Sequence, residues 1–314
     1  MILVLGSEHE PMVRWVKREL DRRGARSLLV DNRRIPGDID FHVELPGPAG
    51  GSLRGHLQVE DLRVPLADIT AIYNRLGFAD YRVEEGCGPE HARFVGSQCN
   101  AILHPWLNHH PGLVVNRPVS AGSNGSKPHQ IRLISRHFRV PETLVTNDPE
   151  LAEEFFHLHR GRLIYKSVSY VRSIVTPMTE QDLQRLGTVV NCPVQLQEFV
   201  EGYDVRVHVL GDYAVFAHKI EAGGSDYRYD KQATVAAYRL PEPVARRCVE
   251  VTRELGLVFS GVDLRCTPEG EYVCFEVNPC PAYAFYECRT EQPVTQALCD
   301  LLCTGAGASL PLAS

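Results

Sequence analysis

The 314-residue sequence has no excess of positive charge: 33 Lys and Arg stand against 39 Asp and Glu, for a net charge of −6. Without a basic footprint, nucleic acid is not an expected partner. There is no run of 18 or more apolar residues, so no membrane-spanning helix is expected. The opening MILVLGSEHEP lacks the basic flank and long apolar stretch of a signal peptide, and reads as a short buried strand and a turn. Ten cysteines are present but none in CxxC spacing, and a secreted disulfide scaffold would be smaller and more regular. Reduced cysteines and a cytoplasmic setting are therefore expected. No GxGxxG follows the first strand, so the opening carries no dinucleotide fingerprint, and there is no internal repeat. What is present, 44% hydrophobic and 23% charged residues, is ordinary globular composition, enough for two or three packed lobes.

In chain order, Met1–Leu5 reads as a buried parallel strand, Glu10–Arg23 as a helix through Met12, Val13, Val16 and Leu20, and Ser27–Val30 as a second strand. Residues 36–68 are short strand-like pieces rich in Pro and Gly. The strand Ile69–Arg75 ends in Asn74 and Arg75, where open α/β sheets place ligands; Arg75 is a candidate for an anionic substrate or for a surface salt bridge. Glu90–Trp106 reads as a helix, and His109-His110-Pro111 as a polar loop rather than a metal pair. A Gly/Ser-rich connector after Asn116 marks a first boundary. The following helix, Pro128–Arg136, is expected to bury Ile131, Leu133 and Ile134. Asp148 is the expected N-cap of a helix starting at Pro149. Lys166 lies in the apolar strand LIYKSV. A buried ammonium there needs a phosphate or a carboxylate neighbour. Residues 194–206 read as strand, turn, strand. Pro243–Leu255 reads as an amphipathic helix, residues 279–293 as a proline-rich loop, and Val294–Leu302 as a closing helix.

The most informative stretch is Phe259–Asn278. Two β-rich runs flank Thr267-Pro268-Glu269-Gly270, a hairpin turn. With Glu269-Gly270 as the central pair, Asp263 lies opposite Glu276 and Gly261 opposite Asn278. Val262, Leu264, Phe275 and Val277 form the core face. Facing carboxylates repel. They are tolerated if one is protonated, if a basic group is near, or if a hard cation lies between them. Asn278 adds a neutral oxygen and Gly261 leaves open space, which suits Mg²⁺; the plain alternative is a solvated sheet face.

In the form GVDLR…FEVNPCP, this hairpin resembles the metal-binding end of the ATP-grasp superfamily, in particular the branch of ribosomal-protein glutamate ligases and ligases that crosslink ribosomal peptides. Lys127 in SKPHQ and Lys166 match the two phosphate-binding lysines. QEFVEGYDVR resembles the hinge between the lobes. There the backbone around Gln197, Glu198, Phe199 and Val200 would meet adenine, and an acid, Asp204 or Glu201, the ribose. Asp226-Tyr227-Arg228 matches an acid-aromatic-Arg loop. The glycine-rich phosphate lid of the family is replaced by the glycine-free residues 167–173.

The resemblance implies an α+β, ATP-grasp fold with an N-terminal α/β lobe (1–115), a central lobe (116–193) and a C-terminal lobe with the metal site (194–314). It implies ATP-dependent joining of a small-molecule or peptide carboxylate to an amine through an acyl phosphate. Mg²⁺, with Mn²⁺ as the alternative, would be held by Asp263, Glu276 and Asn278. Phosphates would be held by Lys127, Lys166 and Lys219, and the transferred phosphoryl group by Arg206 and Arg228. Arg265 and Tyr283–Tyr286 are candidates for the substrate side, and a homodimer is a fair expectation. A phosphotransferase, or an ATP-binding module without turnover, would share the same nucleotide residues.

Overall fold

The computed structural model describes residues 1–44, 54–76, 87–168, 175–221 and 233–305. The first lobe is built on strands β1 (Ile2–Leu5), β2 (Ser27–Val30), β6 (Ala71–Asn74) and β7 (Leu113–Val115), which pair in parallel in the order β2-β1-β6-β7. All four residues of β1 are buried, as befits a strand covered on both faces. Helix α1 (Pro11–Arg22) presents Met12, Val13, Val16 and Leu20 to the core and has proline in its first turn. An antiparallel sheet of β3 (Ile39–Glu44), β4 (Arg54–Val59) and β5 (Leu62–Pro65) and the long helix α2 (Pro89–His109) complete this lobe. His109 ends α2. His110, expected in a polar loop, is buried with its ring edge-on to Trp106.

The short helix α3 (Pro118–Ala121) leads to α4 (Lys127–Ile134), β8 (Thr143–Thr146), α5 (Pro149–Leu158), β9 (Leu163–Ser167), β10 (Thr176–Pro177), α6 (Glu180–Leu183) and β11 (Val194–Glu198). The sheet order is β10-β9-β11-β8, so β11 pairs back onto the strands before residue 193. Asp148 caps α5 as expected, accepting from the N–H of Glu150 at 2.9 Å.

The largest sheet joins β12 (Tyr203–Leu210), β13 (Ala214–Glu221), β14 (Thr234–Tyr238), β15 (Phe259–Cys266) and β16 (Tyr272–Asn278) in the order β14-β13-β12-β15-β16. On one face Val205, Val207, Val262, Leu264 and Val277 pack against Val244, Cys248 and Val251 of α7 (Glu242–Glu254) and Ile134 of α4. The other face is polar over β12, β15 and β16. Residues 279–293, expected as a loop, contain α8 (Ala284–Thr290), and α9 (Val294–Thr304) follows. Helix α9 packs on α1, with Leu298 and Leu302 in the same cluster as Val13 and Val16, so the first and last lobes share one core. No helix among the described residues is long and apolar enough to cross a membrane.

Candidate active site

The β15–β16 register is Gly261↔Asn278, Val262↔Val277 and Asp263↔Glu276, and it then slips to Leu264↔Cys274. The slip is a bulge at Phe275. It takes Phe275 off the core face and gives its expected place to Cys274, which is fully buried. The turn is also one residue longer than expected. Thr267 and Glu271 close it, and Gly270 takes the left-handed conformation at φ +85°.

The two acids share one face, and each already carries a cation. Arg206 of β12 pairs with Asp263, and Lys127 at the start of α4 pairs with Glu276. The room left by Gly261 is not open space, as expected from sequence. A Cβ there would lie 2.5 Å from Nη2 of Arg206, so the glycine seats the guanidinium. Side-chain exposure of Asp263 and Glu276 is 27% and 30%, at the floor of the polar face. Burial pushes the Asp263 carboxyl above its usual range. Arg206 pulls it down and Glu276 adds to the rise. Burial also raises Glu276, but Lys127, with Lys166 and Arg206, outweighs it and holds this carboxyl below its usual range. Asn278 ends β16, and its Oδ1 accepts from the N–H of Cys280 at 3.0 Å, which leaves a second lone pair.

Lys127 and Gln130 lie one turn apart on α4 and face β16, the edge of the sheet. The Gln130 carboxamide donates to Val277 O at 2.8 Å and accepts from Val277 N–H at 3.1 Å, replacing a missing strand. Gln130 rather than Leu133 is therefore the buried residue of that turn, and Ile131 is only half-buried. Lys166, buried in β9, donates to Gln197 Oε1 at 3.2 Å, and Gln197 donates on to Thr143 Oγ1 at 3.0 Å. Its charge also reaches Glu276. Lys127, Lys166 and Arg206 thus gather around two carboxylates, an excess of positive charge suited to polyphosphate. Among the described residues no three His, Cys, Asp or Glu side chains form a metal cluster. Two carboxylates and an amide oxygen fit a hard cation that shares its coordination with phosphate oxygens.

In the hinge, the N–H groups of Glu198 and Phe199 are taken by the carbonyls of Glu142 and Arg162, each at 2.9 Å. The Glu198 carboxylate accepts from Arg139 at 2.5 Å, and the exposed Glu201 from Arg162 at 2.8 Å. Val200 is buried; its carbonyl accepts from Arg265, which also binds Asp204 at 2.8 Å. Arg265 therefore joins the hinge to the acids' face. Lys219 does not reach the acids. It stands opposite Val205 in the β12–β13 register, on the core-facing side, where it pairs with Glu221 at 2.6 Å and lies over the Tyr203 ring. Strand alternation gives its place on the acids' face to His218, the partner of Arg206. Arg228 and residues 169–174 lie outside the described residues. Arg75 is buried, pairs with Glu10 and donates to Pro281 O at 3.1 Å.

A buried histidine pair was missed. His208 Nδ1 and His218 Nε2 are 3.0 Å apart, both fully buried beside Tyr286. The alternation Asp204, Arg206, His208 places all three on the acids' face, a signal present in DVRVH.

The RimK-like ATP-grasp domain matches residues 123–301. The probable alpha-L-glutamate ligase 1 of Shewanella denitrificans is 23% identical over 200 residues, which cover 60% of this chain and 68% of that one. That of Chromohalobacter salexigens is 23% identical over 201 residues, covering 60% and 66%. The chain thus spans about two thirds of the length of these relatives. The macrocyclase MdnC bound with precursor peptide MdnA from Microcystis aeruginosa MRC superposes with a TM-score of 0.84 at 20% identity, over 97% of this chain and 100% of that one. The ATP-grasp ligase PsnB complexed with minimal precursor gives 0.78 at 28% identity, over 96% and 98%. The chain belongs to the RimK-like ATP-grasp family, enzymes that use ATP to join a carboxylate to an amine.

Proposed function

We propose that this chain binds Mg·ATP over the face carrying Asp263 and Glu276 and joins a peptide carboxylate to an amine. The observation that carries the proposal is the paired arrangement Arg206–Asp263 and Lys127–Glu276 with Lys166 alongside. Asp263, Glu276 and Asn278 hold Mg²⁺, with Mn²⁺ as the alternative. When bound, the metal neutralises charge on the phosphate oxygens. Lys127 and Lys166 hold phosphate oxygens. Arg206, seated by Gly261, faces the transferred phosphoryl group, and Arg228 is assigned the same task from its loop. A carboxylate oxygen attacks the γ-phosphorus and ADP leaves. The amine then attacks the acyl carbon, phosphate leaves, and the amine loses a proton.

A peptide substrate, here proposed as the carboxylate donor, is supported by PsnB, which is complexed with precursor peptide PsnA2. The lobes proposed for this work are residues 1–115, 116–193 and 194–314, with β11 (Val194–Glu198) completing the central sheet so that the chain crosses to the last lobe after Glu198; a homodimer is proposed, which light scattering tests. The cytoplasmic setting is supported by the ten cysteines, all free thiols. Mass spectrometry of a reaction with Mg·ATP and pooled amino acids, small carboxylates and peptides tests the chemistry. A product equal to two substrates less one water, with ADP, is expected. A single substrate that gains phosphate would make the chain a kinase, and an absence of ADP with every pool counts against turnover.

A further inference from the structure

The open end of the β15–β16 hairpin is held by a side chain with no part in the chemistry above. Asn116 follows β7 in the amino-terminal lobe and is 5% exposed. Its Nδ2 donates to Phe259 O and to Pro279 O, both at 2.6 Å. Its Oδ1 accepts from the N–H of Val258 at 2.7 Å and of Phe259 at 3.0 Å. These four bonds are the full capacity of a carboxamide, and all go to one place. The last rung of the β15–β16 ladder is Gly261↔Asn278. Phe259 lies just before that rung on one strand and Pro279 just after it on the other, so the carboxamide bridges the two chains where the ladder has ended.

The chain leaving Asn278 is then fixed residue by residue. Pro279 O is held by Asn116, the Cys280 N–H orients Asn278 Oδ1, and Pro281 O is held by Arg75. Asn116 is itself held through its main-chain carbonyl, which accepts from Asn74 Nδ2 at 2.8 Å. Both Asn74 and Arg75 end β6 or follow it directly, at the carboxyl edge of the parallel sheet.

We propose that Asn116 is a positioning residue for the metal centre, through which the amino-terminal lobe sets the place of Asn278 relative to Asp263 and Glu276. The inference rests on the metal reading given above. It explains why a carboxamide stands here. Aspartate would turn an acceptor toward two carbonyls, and alanine would leave the hairpin ends without their bridge.

The test is Mg²⁺ titration of binding of the fluorescent nucleotide mant-ATP, with N116A, N74A, E276Q and the unaltered chain side by side. Folded N116A is expected to bind mant-ATP in EDTA as the unaltered chain does. It is expected to need about tenfold more Mg²⁺ for half of the metal-dependent gain, the loss typical when a ligand's supporting partner is removed. An unchanged Mg²⁺ requirement, or an equal loss with and without metal, overturns the inference. If N116A does not fold, N74A decides. It frees the Asn116 peptide without touching the carboxamide, and a raised Mg²⁺ requirement is expected; an unchanged one overturns the inference. E276Q separates the two claims. A normal metal-dependent gain in E276Q means that the metal reading has failed. Loss in E276Q with a normal requirement in the other two variants means that only the positioning role has failed.

Discussion

Arg206 owes its position to a missing methyl group. Gly261 leaves room for the guanidinium beside Asp263, since an added Cβ would meet Nη2 at 2.5 Å. Gly261→Ala is therefore expected to keep the fold and to weaken mant-ATP binding by roughly tenfold or more, as for loss of one charge-assisted bond of about 1.5–3 kcal/mol; fluorescence titration measures it. Glu276→Gln is expected to abolish the metal-dependent gain in nucleotide binding and ATP turnover, with an unchanged circular dichroism spectrum. The acid pair was legible from sequence, though through two differences that cancel. The turn is one residue longer than a two-residue loop, and the bulge at Phe275 restores the register before it reaches Glu276. The partner cations were less legible. Lys127 stands out in the motif, but its contact with Glu276 joins residues far apart in the chain, and nothing in the spacing announces it.

Elements were legible where one periodicity governs them, and less so where a polar demand overrides it. Helix α4 turns Lys127, Gln130 and Ile134 inward because the exposed edge of β16 needs a donor and an acceptor, which Leu133 cannot supply. Gln130→Leu is expected to destabilise the fold by about 1–3 kcal/mol for each main-chain group of Val277 left unpaired, read as a lower urea midpoint. Helix α8 was hidden by its flanks: Pro279, Pro281 and Pro293 lie outside it, and seven residues are too few for a visible stripe. Between β12 and β13 the histidine pair has a pH consequence. Burial, with Arg206 adding to it, holds His218 down at about 4, against an ordinary value of 6.5; burial, with Arg206 and His218, also holds His208 well below that ordinary value. Between pH 6.5 and 4 the unfolded chain binds more protons than the native one, so stability falls as pH falls. The urea midpoint is expected to drop from pH 7 to pH 5, and to drop less in His218→Gln, whose side chain does not titrate.

At the scale of the whole molecule, the amino-terminal lobe is not an appendage. Val13, Val16 and Leu20 of α1 share a core with Leu298, Leu301 and Leu302 of α9. Arg23 reaches Asp300 at 2.5 Å and Gln296 O at 3.1 Å. A fragment of residues 116–314 would expose that face of α9, and is expected to aggregate or remain partly unfolded by gel filtration and circular dichroism. The β-α-β opening was readable because a buried parallel strand is an unbroken apolar run. The surface on which its helix docks was not, because amphipathic spacing marks a face without naming what covers it.

The pairing of Asp263 with Arg206 and Glu276 with Lys127 also bears on order of arrival. A lone divalent ion approaching this face meets carboxylates whose fields are already cancelled. On the proposed function it would gain little until an incoming polyphosphate drew Lys127 and Arg206 away. On the proposed reading, the metal would then bind after the nucleotide. Calorimetric titration with Mg²⁺ alone should give almost no heat, and the same titration after ATP a full one. The paired cations would thereby keep the proposed metal site from filling, at rest, with whichever divalent ion is most abundant.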